Sequence, residues 1–103
     1  MNRTIIINSF GGPENMRLVD WPVGRPAAGE ALIRHYCSGL NYTDIYRRIG
    51  LYKAPLPSPL GCEGAGIVEA IGEGVEHIAE GDRVVYASNV SGSYSDKRVM
   101  AAA

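Results

Sequence analysis

Residues 61 to 75 read GCEGAGIVEAIGEGV, five glycines in fifteen positions. Glycine at that density serves one of two ends: it gathers backbone amides around a phosphate, or it lets a chain bend and approach its neighbour closely. A dinucleotide-binding loop needs GxGxxG between a strand and a helix of about three turns, so that the helix N-terminus meets the pyrophosphate. Here Gly64-Ala65-Gly66 is followed by the β-branched pair Ile67-Val68 and then by a second glycine turn, Gly72-Glu73-Gly74. No room is left for such a helix. The stretch is expected to form a strand with a tight bend, Gly64 and Gly66 admitting a neighbouring backbone.

The remaining sequence suits a small β domain. A chain of 103 residues is one domain with one core, and at this size about 65% of the unfolded surface is removed from water. Thirteen glycines and six prolines demand many sharp turns, and the Ile-, Val-, Leu- and Tyr-rich segments between them read as short strands. Ten basic residues stand against eleven acidic ones for a net charge of -1, with no basic stripe to attract nucleic acid or an anionic membrane. Two cysteines, Cys37 and Cys62, 25 residues apart and in no CxxC spacing, form no disulfide framework and fit a reduced, cytoplasmic setting. The short apolar run before Asn8 is far below the ~20 residues of a membrane span.

Along the chain, RTIIINSF predicts a first strand closed by the turn GGPE, and MRLVDW a second strand, followed by the exposed connection PVGRPAAGE. EALIRHYCSG is apolar on both parities, the pattern of a strand covered on both faces, which makes Cys37 a core thiol. The one helix is predicted in NYTDIYRRIG: Asn41 or Thr43 caps it, Asp44 lies in its first turn, Arg47 and Arg48 in its last, and Gly50 ends it. Two turns do not stand alone, so Ile45 and Ile49 are expected to pack on the sheet. Pro55, Pro57 and Pro59 make the next segment a stiff surface loop. A Gly81-Asp82 turn precedes a strand at Arg83 to Ala87, and another strand begins at Tyr94. His35 and His77 are expected to face solvent or close local hydrogen bonds. The ending Met100-Ala101-Ala102-Ala103, without cap or polar tail, is expected to be a cut rather than a natural terminus.

With these elements placed, GCEGAGIVEAIGEGV resembles the GHExxGxxxxxGxxV signature of the medium-chain dehydrogenases/reductases. The variant is that of the zinc-free, zeta-crystallin-like quinone oxidoreductase branch. FGGPENMRLVD, GLNYTDIYRRIGLY, EGVEHIAEGDRVVYA and GSYSDKRV fall in the order and spacing of that branch, so the resemblance covers essentially the whole chain. It implies a mainly β fold, a GroES-like, partly open β-barrel with one short helix. It also implies that residues 1–103 are the truncated N-terminal, substrate-side domain of an enzyme whose Rossmann domain follows in sequence. The activity implied is transfer of hydride from NADPH to quinones or conjugated carbonyls, by a homodimer when full length. The alternative is a stand-alone GroES-like module, non-catalytic and acting by protein association.

Zinc-dependent relatives carry Cys where this chain has Asn41 and His where it has Cys62. Both ligands are altered, and Cys62 with Glu63 and a histidine at unrelated spacing makes a poor zinc site. No metal is expected. By residue-for-residue match, Asn41, Tyr46 and Cys62 fall where the barrel meets the nicotinamide end of NADPH, Arg48 matches the same pattern, and Tyr52 falls near the quinone slot. Reduction of a quinone builds negative charge on its oxygen, so neutral donors in a flat apolar slot are the useful groups. Tyr46 and Tyr52 are accordingly the expected catalytic residues, and Asn41, Tyr46, Arg48 and Cys62 the expected cofactor contacts. Thr43 stands where zinc enzymes place a relay hydroxyl, a part without purpose once the metal is gone.

Overall fold

A computed structural model describes residues 2–102. Seven strands form two antiparallel sheets. β1 (Arg3–Ile7) lies between β2 (Met16–Asp20) and the two-residue β4 (Ser58–Pro59), while the second sheet runs β6-β5-β3-β7. Its members are β3 (Glu30–Gly39), β5 (Glu63–Ile71), β6 (Arg83–Ala87) and β7 (Lys97–Ala101). One α-helix, α1 (Tyr42–Ile49), and one 3-10 turn, Pro13–Asn15, complete the elements. The fold is mainly β, as expected, and the glycine-rich stretch is the strand β5 with a turn at its end.

The two sheets are stitched by the segment just before β7. Ile5 N–H donates to Tyr94 O, Asp96 N–H to Arg3 O and His35 N–H to Asp96 O, at 2.8 to 2.9 Å. Residues 94–96 therefore bond to β1 on one side and to β3 on the other, so the sheets curl toward a barrel that stays open between the edge strands β6 and β7. The strand predicted from Tyr94 starts at Lys97 because these three residues serve both sheets instead of one ladder.

Gly66 explains how β3 and β5 approach. A Cβ there would collide with the Arg34 carbonyl, so only glycine lets the strands pair at this register. The core lies on the same pair: Ala31, Ile33 and Val68 are buried together, with Ile71, Ile78, Val84 and Met100 packed on them. At about 25 cal/mol per Å² each fully buried aliphatic side chain contributes roughly 1.5–3 kcal/mol.

Three expectations need correction. Cys37 is exposed, not a core thiol. The β3–β5 register slips between His35 and Cys37, so Tyr36 is an extra residue that breaks the alternation which buries Ala31 and Ile33. Ile49 does not pack on the sheet: it is 49% exposed, and the buried residue of α1 is Asp44. The proline segment is mostly surface loop, yet Ser58–Pro59 pairs with Ile6 and Ile7 at the sheet edge, where a missing N–H is tolerated. No helix among the described residues is long and apolar enough to cross a membrane.

Candidate functional site

α1 carries two faces of different chemistry. Its start follows from Asn41, extended at φ -130° and ψ 157°, whose backbone N–H donates to the Asp44 carboxylate at 3.0 Å. Its end follows from Gly50 in the left-handed region at φ 89°, where glycine alone avoids strain. Past that glycine the chain doubles back, Leu51 and Tyr52 both donating to the Tyr46 carbonyl.

The polar face is a hydrogen-bonded network centred on Asp44. Asp44 is 4% exposed and accepts from the Tyr94 hydroxyl at 2.6 Å as well as from Asn41 N–H. The Asn41 side-chain amide donates through Nδ2 to Glu63 Oε1 at 2.8 Å. Cys62 lies between these groups, its chain pinned by Ser88 N–H on its carbonyl, with Gly92 N–H and Ser93 N–H on that of Gly61. Burial, followed by the charge and hydrogen bond of Asp44, pushes the Cys62 thiol above its ordinary range. Cys62 is therefore a neutral thiol at pH 7, without the thiolate that a nucleophile requires. Burial and then the Asp44 bond likewise push the Tyr94 phenol up.

A second network abuts the first. His35 Nε2 meets the Tyr86 hydroxyl at 2.7 Å and Nδ1 meets Ser95 O at 2.8 Å. Burial pushes His35 below its ordinary value, the Ser95 carbonyl opposing and the Arg98 charge adding to the fall. The expectation that His35 faces solvent or closes a local hydrogen bond is not met, since its partners Ser95 and Tyr86 come from distant segments; His77 meets the Ala102 carbonyl.

The other face of α1 is aromatic and open. Tyr42 and Tyr46 stack at 6.5 Å between centroids, and Tyr52 stands edge-on to Tyr46 at 5.8 Å. Tyr42 is 76% exposed, with Tyr46 at 37% and Tyr52 at 51%. Of the five residues singled out in the sequence, Asn41 caps the start of α1, Tyr46 lies on it, Tyr52 follows the turn that ends it, and Cys62 sits beside Asn41's partner Glu63. Arg48 stands apart: its Nε donates to Gly11 O at 3.1 Å while Gly11 N–H donates back to its carbonyl, tying the helix to the first turn. The sequence reading missed Tyr94 and Tyr86, and gave Asp44 and Glu63 no orienting part. Asp44 was visible as the third residue after a cap, whereas the two tyrosines come from loop and strand segments some 40 to 50 positions away.

Among the described residues no group of three or more His, Cys, Asp or Glu side chains is placed to hold a metal ion. At the position of the altered zinc ligands there is instead a carboxamide, a neutral thiol and two carboxylates engaged by hydrogen bonds.

Comparison with known proteins bears on this arrangement. The chain is 45% identical over 102 residues to the quinone oxidoreductase of Pseudomonas aeruginosa, covering 98% of this chain and 31% of that protein. It is 46% identical over 96 residues to quinone oxidoreductase 1 of Escherichia coli, covering 92% and 29%. The crystal structure of Escherichia coli quinone oxidoreductase complexed with NADPH superposes with a TM-score of 0.94 at 44% identity, over 97% of this chain and 31% of that one. The chain thus spans about a third of the length of the relatives it matches. Residues 27–101 match the family described as the alcohol dehydrogenase GroES-like domain, a stretch that includes β3 to β7, α1 and both networks, and the chain belongs to that family.

Proposed function

We propose that residues 1–103 are the substrate-side domain of a longer, NADPH-dependent quinone oxidoreductase that works without zinc, acting on quinones or similarly conjugated carbonyls. The observation that carries this reading is the placement around one short helix of an oriented carboxamide, Asn41 at its start held by Glu63, and an open pair of phenols, Tyr46 on it and Tyr52 just past its end. Similarity to quinone oxidoreductases over 92–98% of the chain supports it.

A flat amide beside solvent-open aromatic faces suits a nicotinamide, so Asn41, Tyr46 and Cys62 would hold that end of NADPH. Arg48 has only its terminal nitrogens to offer, since Nε is committed to Gly11. When bound, NADPH supplies the hydride. The chain's own residues supply position and electrostatics. Glu63 fixes the carboxamide plane of Asn41. The Tyr46 and Tyr52 hydroxyls donate to the acceptor oxygen where negative charge develops. Their perpendicular rings form a floor and a wall against a planar substrate. Cys62, held as a thiol, adds no charge beside the ring. Zinc independence is supported by the donor set, because the amide of Asn41 is a poor zinc ligand and no group of three or more His, Cys, Asp or Glu side chains among the described residues is placed to hold a metal ion. The homodimer and the cytoplasmic setting rest on the family resemblance, and two unpaired cysteines accord with a reducing compartment.

The test is NADPH consumption by the product of the whole reading frame across a panel of quinones, with and without chelator. Turnover unchanged by chelator is expected, with kcat lowered about 10- to 100-fold in Tyr46→Phe and Tyr52→Phe. Activity lost to chelator and restored by zinc, or no turnover with any quinone, overturns the reading. The 103-residue chain alone is expected to bind NADPH weakly or not at all, and micromolar affinity in a fluorescence titration would contradict its role as a partial site.

A further inference from the structure

Asn41 and Cys62 come from separate segments of the chain, the start of α1 and the turn before β5, and Tyr94 is bonded to both. Its backbone N–H donates to Leu60 O at 3.0 Å and its carbonyl accepts from Ile5 N–H at 2.8 Å, so its main chain is fixed from two sides. Its ring lies on Gly61: a Cβ at that glycine, left-handed at φ 92°, would stand 2.6 Å from Tyr94 Cδ1. From there the hydroxyl donates to Asp44 Oδ2 at 2.6 Å, a short bond from a neutral donor to a charged acceptor. The same oxygen accepts from Asn41 N–H at 3.0 Å, and the Asn41 side chain donates to Glu63 Oε1 at 2.8 Å. A line of hydrogen bonds thus runs from the frame of the two sheets through Tyr94 and Asp44 to the residue that carries the carboxamide.

The rest of α1 does little to place its first turn. Its eight residues bury no aliphatic side chain fully. Two further bonds tie the helix to the frame, Arg47 Nη1 to Ser91 Oγ and Arg48 Nε to Gly11 O, both at 3.1 Å, and both act on its last turn. Asn41 stands at the opposite end. Its separation from Cys62 therefore depends on Asp44, and the place of Asp44 depends on the Tyr94 hydroxyl. We propose that Tyr94 is a positioning residue of this site, its hydroxyl acting through Asp44 to keep the Asn41 carboxamide where a nicotinamide ring is received, an inference that rests on the assignment of Asn41 to that ring. Hydride transfer is steeply sensitive to misplacement of donor and acceptor, so loss of this one hydroxyl acts on the chemical step more than on uptake of the acceptor.

The product of the whole reading frame is compared as wild type, Tyr94→Phe and Val68→Ala, the last a truncation in the core cluster, away from the site, that should lower the melting temperature at least as much. Tyr94→Phe keeps the ring on Gly61 and should fold; Asp44→Asn, which keeps the shape of the carboxylate without its charge, is the second variant and should repeat its pattern. Well below all the melting temperatures, Tyr94→Phe should lower kcat about 10-fold with the quinone KM within about 2-fold, and should weaken NADPH binding severalfold in a fluorescence titration. Val68→Ala should match wild type in all three. In the Asn41→Ala background the Tyr94→Phe change should lower kcat no further, because the hydroxyl acts through that carboxamide. Without cofactor, the nitrogen–proton resonances of the Asn41 side-chain amide, identified by their loss in Asn41→Asp, should shift in Tyr94→Phe and stay in place in Val68→Ala. If wild type reduces no quinone, the functional reading fails, and the resonances with the NADPH titration decide the proposal by themselves. Unmoved Asn41 resonances, a Tyr94→Phe enzyme that behaves as Val68→Ala does, or an undiminished effect in the Asn41→Ala background overturns it.

Discussion

The hydroxyl of Tyr94 donates to the buried carboxylate of Asp44 at 2.6 Å, which fastens the helix to the segment that joins the two sheets. α1 buries no aliphatic side chain fully, so this contact, with the Asn41 and Gly11 bonds, takes the place that an apolar face has in most surface helices. Asp44→Ala should destabilise the chain by about 2–4 kcal/mol, because it strands a phenol and a backbone N–H in the interior. Tyr94→Phe should cost about 1–3 kcal/mol, and the double variant less than the sum, as read from urea denaturation.

Gly66→Ala should be far worse than its size suggests. The added Cβ meets the Arg34 carbonyl on the neighbouring strand, and relieving it requires β3 and β5 to separate, at a cost of roughly 3 kcal/mol or more. Gly24→Ala, where a Cβ meets nothing within 4 Å, is the control and should leave the melting temperature within a degree or two. Equal melts for the two variants would refute the close-approach account of the glycine-rich strand.

Acid should weaken the fold through His35. Burial lowers its pKa in the folded state, so as pH falls below about 6.5 the unfolded chain takes up the proton first. The stability that the neutral ring contributes is complete above that value and drains away as pH falls toward the folded pKa. Melting curves between pH 7.5 and 5 should show this fall, and His35→Gln, which keeps a polar group of similar reach, should flatten that part of the profile.

The two cysteines should react in the opposite order to the one their sequence settings suggest. Cys37 is exposed, while Cys62 is held as a thiol by burial and by Asp44. Iodoacetamide at pH 8 should alkylate Cys37 first, as peptide mass spectrometry would show, with Cys62 modified slowly until the pH passes the ordinary thiol range. Because the folded state holds that proton more tightly than the unfolded one, Cys62 adds stability that is present at neutral pH and lost in strong alkali. Faster labelling of Cys62 would mean that its surroundings favour the thiolate.

Local chemistry was legible in the order of residues. The helix at Tyr42–Ile49 with its Gly50 end, β3, the Arg83–Ala87 strand and the character of the glycine-rich stretch all rest on interactions a few positions long: a carboxylate three residues after a cap, a left-handed glycine, β-branched runs between turns. The five candidate site residues gather around α1 because they lie on it, beside it, or next to Asn41's partner, although Arg48 bonds to Gly11 instead of joining the others.

The bulge at Tyr36 that exposes Cys37, the choice of Asp44 over Ile49 as the buried side of the helix, and the Tyr94 and Tyr86 partners were decided only when strands far apart in the chain came together. Periodicity states which residues share a face but not which face meets the core. A one-residue slip in a ladder reverses that assignment for everything after it. Arg98, which stands in no ion pair among the described residues, is the extreme case, since whether a cation has a counter-charge depends on every acidic side chain that folding brings near it and on those it leaves elsewhere.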